Sequence, residues 1–225
     1  MEPLIHPHWE ALTSVTRQAF DKVACLPFIG RFYLAGGTGL VLHLGHRFSV
    51  NLDFFSPDED GVGPDQRDAM RSLLRDLSLT ITYDKDGTFV ATWLDVGISI
   101  FRLPMYPLVH QPLLVEEVPV ATLAEIGAMK LAAIIDRGTR KDLVDLYFLL
   151  QIVSLETVFE VAAVKYARVR SFPVTAMRAL AYYADAEALP MPRMLDQTPW
   201  SKIKKFLEGQ ALQVGRSNLS DLWEP

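Results

Sequence analysis

The sequence predicts an α/β protein of the α+β kind, with a mixed α/β half followed by a helical half. Helix-like and strand-like patterns alternate up to about residue 121, and beyond it helical periodicity recurs with no further strand run. The 225 residues, half of them hydrophobic and 22% charged, are enough to bury a core without disulfide or metal staples. The halves are expected at 1–121 and 122–225, and nothing between them reads as a flexible linker, so one compact unit of two lobes is expected.

From His8 to Leu26, Leu12, Val15, Phe20, Val23 and Ala24 recur at helical spacing, and Pro27 ends that helix. Arg31 to Ala35 is short and aromatic, which predicts a strand running into a turn at Gly36-Gly37-Thr38-Gly39. Leu40, Val41 and Leu44 then resume helical spacing, placing Thr38 near a helix N-terminus, and Ser49 to Ser56 reads as a second strand. After an exposed loop rich in Pro, Gly and acids, 65–77 predicts a helix with Met70, Leu73 and Leu74 on one face. Residues 79–83, 88–94 and 97–102 are strand runs, with Asp86-Gly87 as a hairpin turn between the first two. Pro104, Pro107 and Pro112 mark an irregular connector before a short strand around 114–118. Thr122 and Glu125 form a capping box that opens a helix reaching Arg137-Gly138, and helices over 140–152, 154–168 and 174–184 follow. Pro190, Pro192 and Pro199 punctuate a tail, and no internal repeat is present.

A net charge of −5 argues against a protein that coats nucleic acid with its whole surface. Its distribution is uneven. Acids crowd Asp53 to Asp68, whereas Val161 to Ala184 holds Lys165, Arg168, Arg170 and Arg178 and no acid, and Lys202, Lys204 and Lys205 add a second basic cluster. These runs are either ordinary solvated helix faces or a polyanion-binding face. The single cysteine, Cys25, excludes a disulfide framework and a cysteine zinc site. With no long apolar run and no basic leader, the expected location is the cytoplasm, without membrane contact. Trp93, Trp200 and Trp223 are read as packing residues.

The chemistry concentrates in Leu34-Ala-Gly-Gly-Thr38 and Asn51-Leu52-Asp53-Phe54-Phe55. A strand, a glycine turn and a helix N-terminus offer backbone N–H groups and a hydroxyl to an anionic phosphate, although Gly-Gly-Thr there is also an ordinary turn. On the following strand, residues 51 and 53 direct two oxygen ligands to one face, as a divalent cation on a triphosphate requires.

The run from Leu34 to Ser56, with Gly36-Gly37-Thr38 and then His46-Arg47-Phe-Ser49-Val-Asn51-Leu-Asp53-Phe-Phe, resembles the signature block of the AbiEii/AbiGii toxin family of nucleotidyltransferases. A second block, Ala128-Met-Lys130 with Arg137, Arg140, Lys141-Asp142 and Asp145, resembles that family's lysine and basic-Asp-x-x-Asp motifs. The resemblance implies a nucleotidyltransferase fold, a mixed sheet flanked by helices, in a toxin of a bacterial toxin–antitoxin or abortive-infection system. It implies an NTP substrate, Mg²⁺ or Mn²⁺, a tRNA or protein acceptor and a cognate antitoxin. Gly36, Gly37, Thr38, Arg47 and Lys130 would bind the nucleotide, Asn51 and Asp53 the metal, and Asp53, Lys130 and Asp142 would form the catalytic set. Their plainer readings are a snorkelling lysine at 130, a helix-start carboxylate at 142 and dipole-paired basic residues at 46 and 47.

Asn51 departs from that family, which carries an aspartate there. Its amide oxygen can coordinate a hard cation but brings no charge and takes no proton. Asp95 precedes its strand and reads as a turn residue, so it supplies no third carboxylate. Beside the enzyme reading stand a pseudoenzyme that keeps the pocket without the chemistry and acts through a partner, and a helical interaction module on an α/β scaffold.

Overall fold

The computed structural model describes residues 1–75 and 79–214. The helix end expected at Leu77 and the packing role of Trp223 lie outside these residues, as do the side chains of Leu73 and Leu74. Two units are distinguished, Met1–Thr122 and Leu123–Pro225.

The first unit is built on seven strands: β1 (Tyr33–Leu34), β2 (Asn51–Ser56), β3 (Thr80–Lys85), β4 (Thr88–Trp93), β5 (Val96–Arg102), β6 (Leu113–Val115) and β7 (Val118–Val120). Their order in the sheet is β3-β4-β5-β2-β1-β7-β6. It is mixed: β2 runs parallel to β5 and β1 to β7, while the other neighbours are antiparallel. Strand alternation sorts the side chains. Leu52, Phe54, Ile98, Ile100, Phe89 and Ala91 point to a sealed face, joined there by Phe20, Val23 and Met70. Each of the larger side chains, from valine to phenylalanine, contributes roughly 1.5–3 kcal/mol by leaving water. The opposite face of β2 and β5 carries Asn51, Asp53, Phe55, Gly97, Ser99 and Phe101, none of them sealed.

Three helices accompany the sheet: α1 (Ser14–Ala24), α2 (Gly36–Leu44) and α3 (Pro64–Arg75). The opening helix is shorter than the apolar periodicity suggested, because Thr13 caps it, its hydroxyl accepting from Thr16 N–H at 3.1 Å. Conversely α2 begins earlier than expected, since Gly36 and Gly37 form its first turn instead of a separate loop. The strand expected at 114–118 is a hairpin, β6 and β7, and Glu2 to Leu4 hydrogen-bond to Leu114 on β6.

The second unit contains α4 (Leu123–Asp136), α5 (Arg140–Leu149), α6 (Leu155–Lys165), α7 (Phe172–Ala179), α8 (Ala184–Glu187) and α9 (Trp200–Val214). α4 packs on α5, α6 and α7. Its approach to α6 is close at Gly127, where a Cβ would stand 2.7 Å from Val158 Cγ2. The capping-box acid Glu125 is fully buried, and Lys165 Nζ donates to it at 2.8 Å. Lys165 therefore belongs to the interior and not to a basic surface. Within the tail expected after residue 184, Trp200–Val214 instead forms helix α9, which buries Ile203, Leu207, Ala211 and Val214. Lys204 on that helix pairs with Glu187 at 2.5 Å. Among the described residues no helix is long and apolar enough to cross a membrane.

Candidate functional site

In the first unit the glycine turn and the acidic strand are one assembly. Gly36 has φ +61°, a left-handed backbone that favours glycine, and a Cβ there would lie 3.0 Å from Asp53 Oδ2. Ala35 N–H donates to the Asp53 carbonyl at 3.1 Å, fixing α2 to β2 at this point. The amides of Gly36, Gly37 and Thr38 fall in the first helical turn and have no carbonyl one turn behind to bond. They and the helix dipole make the opening of α2 electropositive beside Asp53.

Thr38 is fully buried. Its hydroxyl is shared between Ser49 Oγ, at 2.8 Å, and the carbonyl of Asn51, so the group it has left for a ligand is its backbone N–H. Arg47 is also buried, with 5% of its surface exposed; Nη1 donates to the Phe48 carbonyl at 2.7 Å. Its Nη2 lies 2.6 Å from the place a Cβ on Gly37 would take.

Asn51 and Asp53 lie on the same face of β2, and the β2–β5 register sets Gly97 beside Asn51 and Ser99 beside Asp53. Asn51 Oδ1 lies 3.1 Å from the position of an added Cβ at Gly97. Among the described residues no group of three His, Cys, Asp or Glu side chains could hold a metal. One carboxylate, one amide and a neighbouring hydroxyl are hard oxygen donors with a single negative charge. That set fits a divalent cation arriving with a triphosphate, whose own oxygens complete the coordination.

The second unit gathers Lys130, Asp142 and Asp145. Lys130 Nζ lies 3.0 Å from Asp142 Oδ1 and 2.6 Å from Asp145 Oδ2, and both carboxylates are fully buried. Arg137 grips Asp142 through both oxygens, Nε to Oδ2 at 2.9 Å and Nη2 to Oδ1 at 3.1 Å, and Thr139 donates to Oδ2 at 2.5 Å. Burial pushes the Asp142 carboxyl upward, but the Arg137 hydrogen bonds, the Lys130 charge and the Thr139 hydroxyl outweigh it and hold the group well below the usual carboxylate range. It is ionised and densely bonded, the condition of an orienting group and not of a proton acceptor.

The structure thus unites Gly36, Gly37, Thr38, Arg47, Asn51 and Asp53 in one unit, and Lys130 with Asp142 in the other. Sequence reasoning missed Ser99, Gly97 and Thr139. Only strand register and helix capping bring them to the site, although Thr139, just ahead of the Arg140 helix, carried a readable N-cap signal.

A mixed sheet in which a glycine-opened helix leans on the strand of Asp53 defines a fold of the nucleotidyltransferase class. The fold is similar to that of MenT4, a nucleotidyltransferase toxin of Mycobacterium tuberculosis, with a TM-score of 0.62 at 15% identity, covering 96% of this chain and 88% of that one. It is also similar to the antibiotic-resistance factor ANT(2'')-Ia, with a TM-score of 0.54 at 13% identity over 72% of this chain and 97% of that one. The chain belongs to the family described as "Nucleotidyl transferase AbiEii toxin, Type IV TA system", whose model matches residues 20–218. An uncharacterized protein of Aquifex aeolicus is 29% identical over 202 residues, which cover 85% of this chain and 96% of that protein.

Proposed function

We propose that this protein transfers a nucleotidyl group from an NTP to an acceptor hydroxyl on tRNA or protein, as the toxin of a toxin–antitoxin pair in the cytoplasm. The observation that carries the reading is the joint construction of the α2 opening and Asp53, with Gly36 bare where the carboxylate comes nearest. The amides of Gly36, Gly37 and Thr38 donate to the triphosphate tail. Asp53, with the Asn51 amide, holds the divalent cation, Mg²⁺ or Mn²⁺, that accompanies the nucleotide and whose chemistry is to neutralise charge developing on the phosphates. In the second unit Asp142 keeps the Lys130 ammonium oriented. Incubation with each labelled NTP, Mg²⁺ and either total RNA or total protein tests the reading. Label is expected on one acceptor class and is expected to disappear in Asp53→Ala, whereas an equal signal from that variant would refute it.

A second reading follows from Asn51. With one carboxylate on β2 and only Gly97 and Ser99 opposite on β5, the site has little charge with which to hold a cation, which favours a nucleotide-binding protein of weak or no turnover acting through a partner. Nucleotide binding by calorimetry, with label transfer appearing only in Asn51→Asp, selects this reading. Strong transfer by the wild type eliminates it.

A further inference from the structure

We infer that Arg47 is a positioning residue for the opening turn of α2, and that position 37 is glycine in order to admit it. Gly36 and Gly37 look equivalent in sequence but have different reasons to be glycine. Gly36 needs its left-handed φ, whereas Gly37 sits within the helix and does not have a positive φ, so backbone freedom does not explain it. Space does. An added Cβ at 37 would meet Arg47 Nη2 at 2.6 Å, Ser49 Oγ at 3.2 Å and Arg47 Cζ at 3.6 Å.

The guanidinium is in no position to yield. Arg47 is 5% exposed, and its Nη1 is held by the Phe48 carbonyl at 2.7 Å. Ser49, two residues on, bonds the Thr38 hydroxyl at 2.8 Å, so the segment 47–49 supports both Gly37 and Thr38 from the same side. A permanently charged, five-donor side chain is buried at a helix opening only where it has something to fix. What it fixes is the setting of the amides at 36–38. Arg47 thus acts on the nucleotide through the helix turn, not by touching phosphate. The inference rests on the proposed nucleotide site for its purpose, but its geometry is testable without nucleotide.

The test is a cycle of Gly37→Ala, Arg47→Ser and the double variant, with Arg47→Lys as a milder substitution. Amide hydrogen exchange at Gly39, whose N–H closes the opening turn on the Ala35 carbonyl at 3.0 Å, is read in nucleotide-free protein against the amides of β2, and the affinity for each NTP·Mg²⁺ is read separately. Gly37→Ala and Arg47→Ser are each expected to speed exchange at Gly39 by about tenfold while β2 is unchanged, with the double variant no faster than Arg47→Ser alone. Arg47→Lys is expected to fall between wild type and Arg47→Ser. Multiplying effects in the double variant, or exchange at Gly39 that ignores Arg47, overturn the inference. If no variant and no wild type binds nucleotide, the proposed function fails while the exchange cycle still decides this one.

Discussion

Lys130 Nζ lies 2.6 Å from Asp145 Oδ2, with both side chains withdrawn from water. The same ammonium also serves Asp142, which Arg137 holds as well, so one lysine bridges two buried carboxylates. Lys130→Met removes the ammonium that bridges them, and the expected loss is about 3–5 kcal/mol of folding stability, read by urea denaturation. A loss below about 1 kcal/mol would show that Lys130 is not what holds α4 to α5. Any activity assay on this variant therefore needs a melting curve beside it.

Acid sensitivity follows from Asp142. Its folded-state pKa is depressed, so the unfolded chain takes up a proton at this site before the folded one does. The stabilisation is fully present above the ordinary aspartate value of about 4 and is lost as pH falls below it. Melting temperature measured from about pH 5 downward should fall less steeply in Asp142→Asn than in the wild type, from a lower starting point. Parallel curves for the two proteins would contradict the assignment.

His43 works at milder pH. Its Nε2 lies 2.9 Å from the Ala121 carbonyl, and burial lowers its pKa despite that hydrogen bond. The folded protein keeps the ring neutral while the unfolded chain protonates it below about pH 6.5, so stability is lost as pH falls through that value. His43→Gln is expected to remove this slope while leaving the Asp142-dependent limb at lower pH. Chemical denaturation at pH values on either side of 6.5 checks it.

Asn51→Asp replaces an amide by an isosteric carboxylate on the face it shares with Asp53. A second negative charge should strengthen cation binding and raise transfer at limiting Mg²⁺ by about tenfold or more. The measurement is the rate of label transfer across a Mg²⁺ titration. A variant no better than wild type at every concentration shows that Asn51 does not limit the site.

Gly127→Ala sets a methyl 2.7 Å from Val158 Cγ2 and should cost about 1–3 kcal/mol through overpacking between α4 and α6. Adding Val158→Ala should recover part of that loss, as the two changes share one contact. Thermal melts of the two single variants and the double variant decide it, with strictly additive losses excluding the close approach.

The two motif blocks were legible because their residues are neighbours in sequence. Gly36-Gly37-Thr38 and Asn51-Leu52-Asp53 belong to a helix start and a strand joined by a short connection, so their pairing, with the resemblance to the family block, implied a shared site. Alternation on β2 likewise put residues 51 and 53 on one face, because the strand period of two is local. Helix α9 escaped although Ile203, Leu207 and Ala211 recur at helical spacing, because Pro190, Pro192 and Pro199 before it read as a tail.

By itself, then, the sequence determined the α/β-then-helical order and the family, and it put forward the glycine, threonine and acidic positions of the candidate site together. Tertiary structure alone decided what those side chains do. Lys165 looked like a surface base until Glu125, forty residues away, proved to be its buried partner. Ser99 gained its place beside Asp53 only through the parallel β2–β5 register, and Thr38 turned its hydroxyl inward because Ser49 and the Asn51 carbonyl lay there to accept it. Periodicity and propensity act over a few residues, whereas burial and pairing of polar groups depend on which distant segments pack together, and that is settled by the whole chain at once.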